Sequence, residues 1–273
     1  MPELPEVETC RAALAPLLSQ ARVGVFQRSD KDLRFPWPAP EDLKRLEGRR
    51  IEGVRRRGKY LIISMGDHHL LVHLGMSGQV FFGASSEPWL PHEHWRLRVD
   101  DQLLRYRDPR RFGFLQLYIG PRPEAHERLV HLGPEPLCQD SFNTSYLHSV
   151  CRGSKRPIKS LIMDGTVVVG VGNIYASEAL YRAGIQPFRR AGAIATHRLD
   201  GLVVGIRAVL EAAIAAGGTT LKDFQSVEGN PGYFRRELAV YGRAGAPCRR
   251  CPGTIRQRTL SSRATYWCPN CQR

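Results

Sequence analysis

Four cysteines close to the end of the chain constrain its folding more than any other feature. Cys248 and Cys251 are separated by two residues, as are Cys268 and Cys271, and sixteen residues lie between the pairs. This C-x2-C-x16-C-x2-C spacing brings four thiolates to one tetrahedral metal, with the intervening segment free to form a hairpin. A hairpin of about 25 residues lies below the ~40-residue limit for folding without a staple or a metal. We therefore expect one structural Zn2+, with all four ligand places taken by cysteine and none left open for catalysis. A pair of structural disulfides is the alternative. Seven cysteines, an odd number, suit a metal site with free thiols better than a complete disulfide framework.

Charge points to the partner. Over 273 residues, 40 Lys and Arg against 26 Asp and Glu give a net charge of +14. From Arg235 to Arg273 there are nine arginines, no lysine and a single acid, Glu237. Arginine's planar fork matches phosphate, so the tail fits a polyanion. The opening carries Glu3, Glu6 and Glu8 rather than a basic segment before an apolar run, so no secretory signal is expected. No apolar run approaches membrane-spanning length. We expect a reducing, cytoplasmic compartment and no membrane partner.

Three textures follow one another along the chain. Val7, Cys10, Leu14, Leu17 and Leu18 share a helical face, on which Pro16 predicts a kink or an end. Eight short apolar or alternating segments come next, at 22–28, 49–56, 59–64, 69–74, 78–82, 95–99, 102–106 and 113–118, and predict a sandwich or flattened barrel. Prolines at 121, 123, 134 and 136 close this region. Helical patterns then cover 142–151, 157–163, 173–183 and 197–216. Gly217, Gly218, Gly229, Pro231 and Gly232 mark the passage into the cysteine-bearing tail.

Several residues have chemistry worth weighing against a plainer role. Removal of Met1 makes Pro2 a terminal secondary amine; α-amino groups titrate near ~7.7–8, so a neutral, nucleophilic fraction exists at neutral pH. Glu3 beside it suits proton transfer, although a flexible terminus is the plainer reading. Lys59, and Arg110 in Asp108-Pro109-Arg110-Arg111-Phe112-Gly113, are either solvated charges or functional ones. Met76 in His73-Leu74-Gly75-Met76-Ser77-Gly78 is core filler or, with Arg110 and Phe112, a wedge for a duplex from which a base has left. Asn173, after Gly170-Val171-Gly172, is an N-cap, a role compatible with phosphate binding at a helix start. Arg263, flanked by Ser261, Ser262 and Thr265, is a phosphate contact or an ordinary exposed arginine.

Together these residues resemble the formamidopyrimidine-DNA glycosylases, the bacterial-type 8-oxoguanine DNA glycosylases. The matching blocks are PELPEVE, GKYL at Gly58, HLGMSG at His73, DPRRFG at Asp108, HLGPEPL at His131, VVGVGNIYASE at Val168, GGTTLKDF at Gly217, PGYF at Pro231 and the cysteine finger. The resemblance implies an α+β multidomain fold: an N-terminal antiparallel β-sandwich over 1–134, a helix-two-turn-helix domain over 135–234, and a zinc-finger β-hairpin over 235–273. It implies base excision of oxidised purines from double-stranded DNA and AP lyase activity by β,δ-elimination. Pro2, Glu3, Lys59 and Arg263 form the implied catalytic set, with Pro2 as the Schiff-base nucleophile. Met76, His92, Arg110, Phe112, Lys155, Lys159 and Asn173 are the implied DNA contacts; His94 competes with His92, and Arg156 with the two lysines. The loop from Gly217 to Tyr233 is expected to cap the flipped base. A monomer that associates with the nucleoid while acting completes the expectation. Two alternatives remain at this point: an endonuclease VIII-like glycosylase for oxidised pyrimidines, and a non-catalytic zinc protein that binds nucleic acid.

Overall fold

The computed structural model describes residues 2–218 and 238–273. The chain divides into two compact units, one reaching to Val130 and rejoined by residues 216–218, the other formed by His131–Ala215 and residues 238–273.

In the first unit, α1 (Leu4–Leu18) starts at Glu3, whose backbone N–H is accepted by Glu6 Oε2 at 2.8 Å, one half of a capping box. Pro16 lies inside the helix and close to its end: α1 runs two residues further, and Ser19 N closes the last turn on Ala15 O. A proline so near the C-terminus removes a single ladder bond. Eight strands follow, as the alternation predicts: β1 (Val23–Arg28), β2 (Gly53–Arg57), β3 (Tyr60–Met65), β4 (His68–His73), β5 (Gln79–Ala84), β6 (Glu93–Val99), β7 (Gln102–Arg107) and β8 (Phe114–Ile119). A short α2 (Pro40–Lys44) lies between β1 and β2 and was not expected; its buried contribution is Leu43.

The strands make two antiparallel four-stranded sheets, ordered β1-β6-β7-β5 and β2-β3-β4-β8. One apolar core joins them, with Val23, Leu97, Leu104 and Tyr106 from the first sheet and Leu61, Ile63, Leu70, Val72 and Leu115 from the second. This is the expected sandwich. Val7, Cys10, Leu14 and Leu18 of α1 enter the same core, which fixes the chain's N-terminal residues on the sandwich.

The second unit contains α3 (Thr144–Cys151), α4 (Ile158–Ile162), α5 (Asn173–Arg182) and α6 (Thr196–Ala215), then a hairpin of β9 (Arg256–Leu260) and β10 (Arg263–Trp267). Ser261 and Ser262 both take positive φ, the geometry of a two-residue hairpin turn that matches strand twist. Glu178 on α5 accepts the backbone N–H groups of Ala239, Val240 and Tyr241 at 2.8–2.9 Å, and Tyr181 packs with Val240, Cys248, Ile255 and Cys268. Hairpin and helices therefore form one unit. No described helix is long and apolar enough to cross a membrane.

His73, the last residue of β4, shows what the sandwich does to a side chain. Its ring stacks on Phe114 at 5.1 Å, and its Nδ1 accepts the Gly75 N–H at 3.0 Å. Burial, reinforced by the positive charges of Lys59, Arg34 and Arg128, pushes its pKa down from 6.5 to about 3. The unfolded chain binds a proton here as pH falls below about 6.5, whereas the folded one does not. His73 thus supports stability fully above that pH, and the support is lost progressively as pH falls toward 3. Ring resonances in an NMR titration should leave His73 unprotonated at pH 5; a midpoint near 6.5 would contradict this environment.

Candidate functional site

The N-terminal residues are held in an unusual place for a chain end. Pro2 and Glu3 are both buried, directly before the first turn of a 15-residue helix whose N-terminal backbone dipole favours negative charge and disfavours a protonated amine. Arg56 on β2 donates to Glu8 of α1 at 2.8 Å, tying the helix to the sheet. Lys59 follows on the β2–β3 turn and contributes to the field that keeps His73 neutral. With Nδ1 accepting from Gly75, the neutral His73 carries its proton on Nε2, which makes it a donor. The motif that contains His73 does not by itself mark the residue; its place near Lys59 follows from strand register, which pairs it with Tyr60.

Met76, Arg110 and Phe112 lie on two turns that the structure brings together. Gly75, at φ +63°, packs its backbone directly on Phe112 and Gly113, where any Cβ would overlap Gly113 N. The buried Asp108 carboxylate joins the turns from beneath. It accepts Ser77 Oγ at 2.6 Å from one turn, and Gly113 N at 2.8 Å and Arg110 N at 3.2 Å from the other, with Tyr106 OH at 3.2 Å. Above this anchor, Phe112 is 43% exposed and the Arg110 guanidinium lies 4.8 Å from its ring centre. An apolar, planar and cationic set on a rigid base can occupy a gap in a base stack. His92 is exposed at φ +65°, whereas His94 is buried, its ring held between Asp108 O at 3.0 Å and Ser29 Oγ at 3.4 Å. Of the two histidines, His92 has the accessible ring.

In the second unit Asn173 does not cap α5, contrary to the plainer expectation: Gly172 is the N-cap and Asn173 the first helical residue. Its amide is turned to the hairpin instead, donating to Ala264 O at 3.0 Å and accepting from Lys159 Nζ at 2.6 Å. Lys159, expected as a DNA contact, is only 1% exposed, and its ammonium also donates to Thr265 Oγ1 at 2.7 Å and Ala264 O at 3.3 Å. A buried ammonium needs such oxygens, and they happen to be those of the hairpin. Arg263 begins β10 at the hairpin tip, exposed and one residue from the clamped Ala264 carbonyl. Lys155 is exposed, while Arg156 pairs with Asp164 at 2.9 Å. The expected capping loop lies outside the described residues, except for Gly217 and Gly218.

The four finger cysteines converge. Their sulfurs lie within 4.8 Å of one another, with Cys248–Cys271 at 3.8 Å and Cys251–Cys268 at 3.5 Å. None is in a disulfide, which removes that alternative. Sulfurs about 2.3 Å from a tetrahedral zinc stand roughly 3.8 Å apart, so the cluster fits such an ion. Tyr181 OH lies 3.2 Å from Cys248 Sγ.

Comparison with known proteins bears on these sites together. Residues 1–115 match the formamidopyrimidine-DNA glycosylase N-terminal domain, and residues 132–225 the H2TH domain of the same glycosylase. Proteins named formamidopyrimidine-DNA glycosylase from Alkalilimnicola ehrlichii and Stenotrophomonas maltophilia are 50% and 48% identical, each covered over 100% of both chains. A crystal structure of a Lactococcus lactis FPG mutant with a Fapy-dG-containing DNA is similar at a TM-score of 0.91 and 32% identity, covering 100% of both chains. The MutM (FPG) protein of Thermus thermophilus gives 0.88 and 38%, over 99% of this chain and 98% of that one. By full-length identity and by both domain models, the chain belongs to the formamidopyrimidine-DNA glycosylase family.

Proposed function

We propose that this protein is a base-excision-repair enzyme that removes oxidised purines from double-stranded DNA and then cuts the backbone by β,δ-elimination. The observation that carries the reading is the burial of Pro2 and Glu3 at the N-terminus of α1, in a chain related over its full length to glycosylases of that name. The pyrimidine-specific alternative is not favoured, since the relatives are named for a purine-derived lesion. A binding protein without catalysis has no use for a buried secondary amine.

Pro2 is the nucleophile. Burial and the helix dipole both disfavour its ammonium form, leaving the nitrogen lone pair for C1′ of the damaged nucleotide. Glu3 supplies a proton as the base departs or the sugar ring opens. The C1′–N bond to Pro2 then becomes an iminium, which acidifies the 2′ protons; loss of one expels the 3′ phosphate, and a second elimination expels the 5′ phosphate. Lys59, Asn173 and Arg263 hold phosphates around the lesion, and His92 and Lys155 bind the backbone further out. Met76, Arg110 and Phe112 fill the gap left by the extruded nucleotide, with Arg110 toward the unpaired base. Lys159 positions Asn173 and the hairpin rather than touching DNA. Cys248, Cys251, Cys268 and Cys271 hold one Zn2+, which supplies folding free energy to the finger and no step of the reaction. We retain the three-part division at 1–134, 135–234 and 235–273, and we assign the protein as a cytoplasmic monomer that works at the nucleoid.

Duplexes containing 8-oxoguanine, an oxidised pyrimidine or no lesion test the reading: cleavage of the first alone or foremost is expected, and equal indifference to all three would end it. Borohydride should trap a covalent adduct mapped by peptide mass to Pro2, whereas a crosslink on Lys59 would reassign the nucleophile. Glu3→Gln should slow excision of 8-oxoguanine about 100-fold or more while sparing cleavage of a preformed abasic site; equal loss on both substrates would place Glu3 in elimination instead. Cys268→Ser should lower zinc content and abolish tight binding with the sandwich still folded. Arg263→Ala should weaken binding with zinc retained and flatten the salt dependence by about one phosphate contact, or ~0.9 in the log–log slope.

A further inference from the structure

Beside the Arg110–Phe112 turn, the sandwich carries an open cavity of about 510 Å³. Its walls come from three segments: Ser29, Asp30 and Lys31 after β1, the stretch from Trp89 to His94 entering β6, and Pro109 with Arg111 on the turn. Lys31, His92 and Arg111 present exposed cationic or proton-donating groups, and Asp30 is an exposed acid. The acid on the β6 wall, Glu93, is buried and matched by Arg96 and Arg105, so it lends the cavity no unpaired negative charge.

The loop bearing Trp89 is built to stay in place. Arg105 Nη2 donates to Pro88 O at 2.8 Å, and Arg96 Nη1 to Glu87 O at 2.9 Å. Glu87 in turn accepts Ala84 N at 3.0 Å and pairs with Arg105, while Glu93 Oε2 accepts Leu90 N at 2.8 Å. Four charged side chains, three of them buried, thus fix a loop whose outer surface is apolar: Trp89 is 42% exposed and Leu90 38%. The Arg96 guanidinium lies 4.4 Å from the Trp89 ring centre, which holds the indole in one orientation. A core needs no exposed indole braced in this way; a stacking partner does.

We propose that this cavity is a nucleotide subsite for the bound DNA, with a backbone phosphate between Lys31 and Arg111 and an unstacked base or its sugar on Trp89. Continuity argues for that occupant. Arg111 lies between Arg110 and Phe112 in sequence, so DNA opened by those two side chains has its next nucleotide beside Arg111. The subsite rests on the DNA-repair reading above and extends the contact surface to Lys31, Trp89 and Arg111, none of which that reading used.

Trp89 is also its own reporter, because Trp95 is buried and Trp37 and Trp267 are only partly exposed. Acrylamide quenching of the wild-type protein should fall when an 8-oxoguanine duplex binds, and the change should disappear in Trp89→Phe. By fluorescence anisotropy, Trp89→Ala should bind the duplex about tenfold more weakly, and Trp89→Phe should recover most of the loss. Lys31→Ala with Arg111→Ala should shallow the salt dependence by about 0.9 to 1.8 in the log–log slope. Thermal melts matching wild type show that each variant is folded. Binding within twofold of wild type in all variants, an unchanged slope and a Trp89 still open to acrylamide in the complex would overturn the subsite. Cleavage by the wild-type protein is scored separately: an enzyme that cuts the lesion duplex while these variants bind normally loses the subsite and keeps the function, whereas DNA protection of Trp89 without any cleavage sinks the catalytic reading alone.

Discussion

A charge taken out of water must be met by polar partners, and this molecule uses that demand to shape its irregular backbone. Asp108 binds two turns of the sandwich through side-chain and main-chain donors. Glu178 collects three consecutive N–H groups of the chain that leads into the finger. Lys159 gathers oxygens from the start of α5 and from β10. The first two of these segments have no sheet ladder or helix to hold them, and the third is where a helix start meets a hairpin strand. Regular elements supply the apolar core; buried charges locate the parts that act.

This division explains why chemistry is concentrated on turns without being loose. The wedge proposed for Met76, Arg110 and Phe112 needs exposed apolar surface, which is unfavourable in isolation and stays in position only over a rigid support. Asp108 is that support, and the close packing of Gly75 on Phe112 makes the two turns one object. The finger follows the same logic at larger scale: the four-cysteine cluster closes one end of the hairpin, while Asn173 and Lys159 grip Ala264 near the other. Arg263 stands at the tip, one residue beyond the Ala264 clamp.

Much of the fold was legible from the sequence, because alternation and helical periodicity are local signals. All eight sandwich strands and the four principal helices of the second unit fall where the pattern placed them, within a few residues. Sheet order did not follow, since β1 pairing with β6, or β4 with β8, depends on contacts far apart along the chain. The brief α2 escaped notice because one buried leucine makes no periodic pattern. The cysteine cluster was readable from spacing alone. Lys159 was not, because lysine is rarely buried and two of the oxygens that accept its ammonium, Ala264 O and Thr265 Oγ1, come from over a hundred residues away. His73 and Trp89 were passed over for a related reason: each gains significance from neighbours on other strands.

The two-residue turn at Ser261 and Ser262 acts as a ruler for the finger. Strand side chains alternate in facing, so one residue inserted into or deleted from either hairpin strand between the turn and Ala264 reverses the faces beyond it and shifts the clamped carbonyl out of step. Arg263 would then be presented on the wrong side, with every charge and every cysteine still present. Length, rather than composition, is therefore what descent must conserve at this tip.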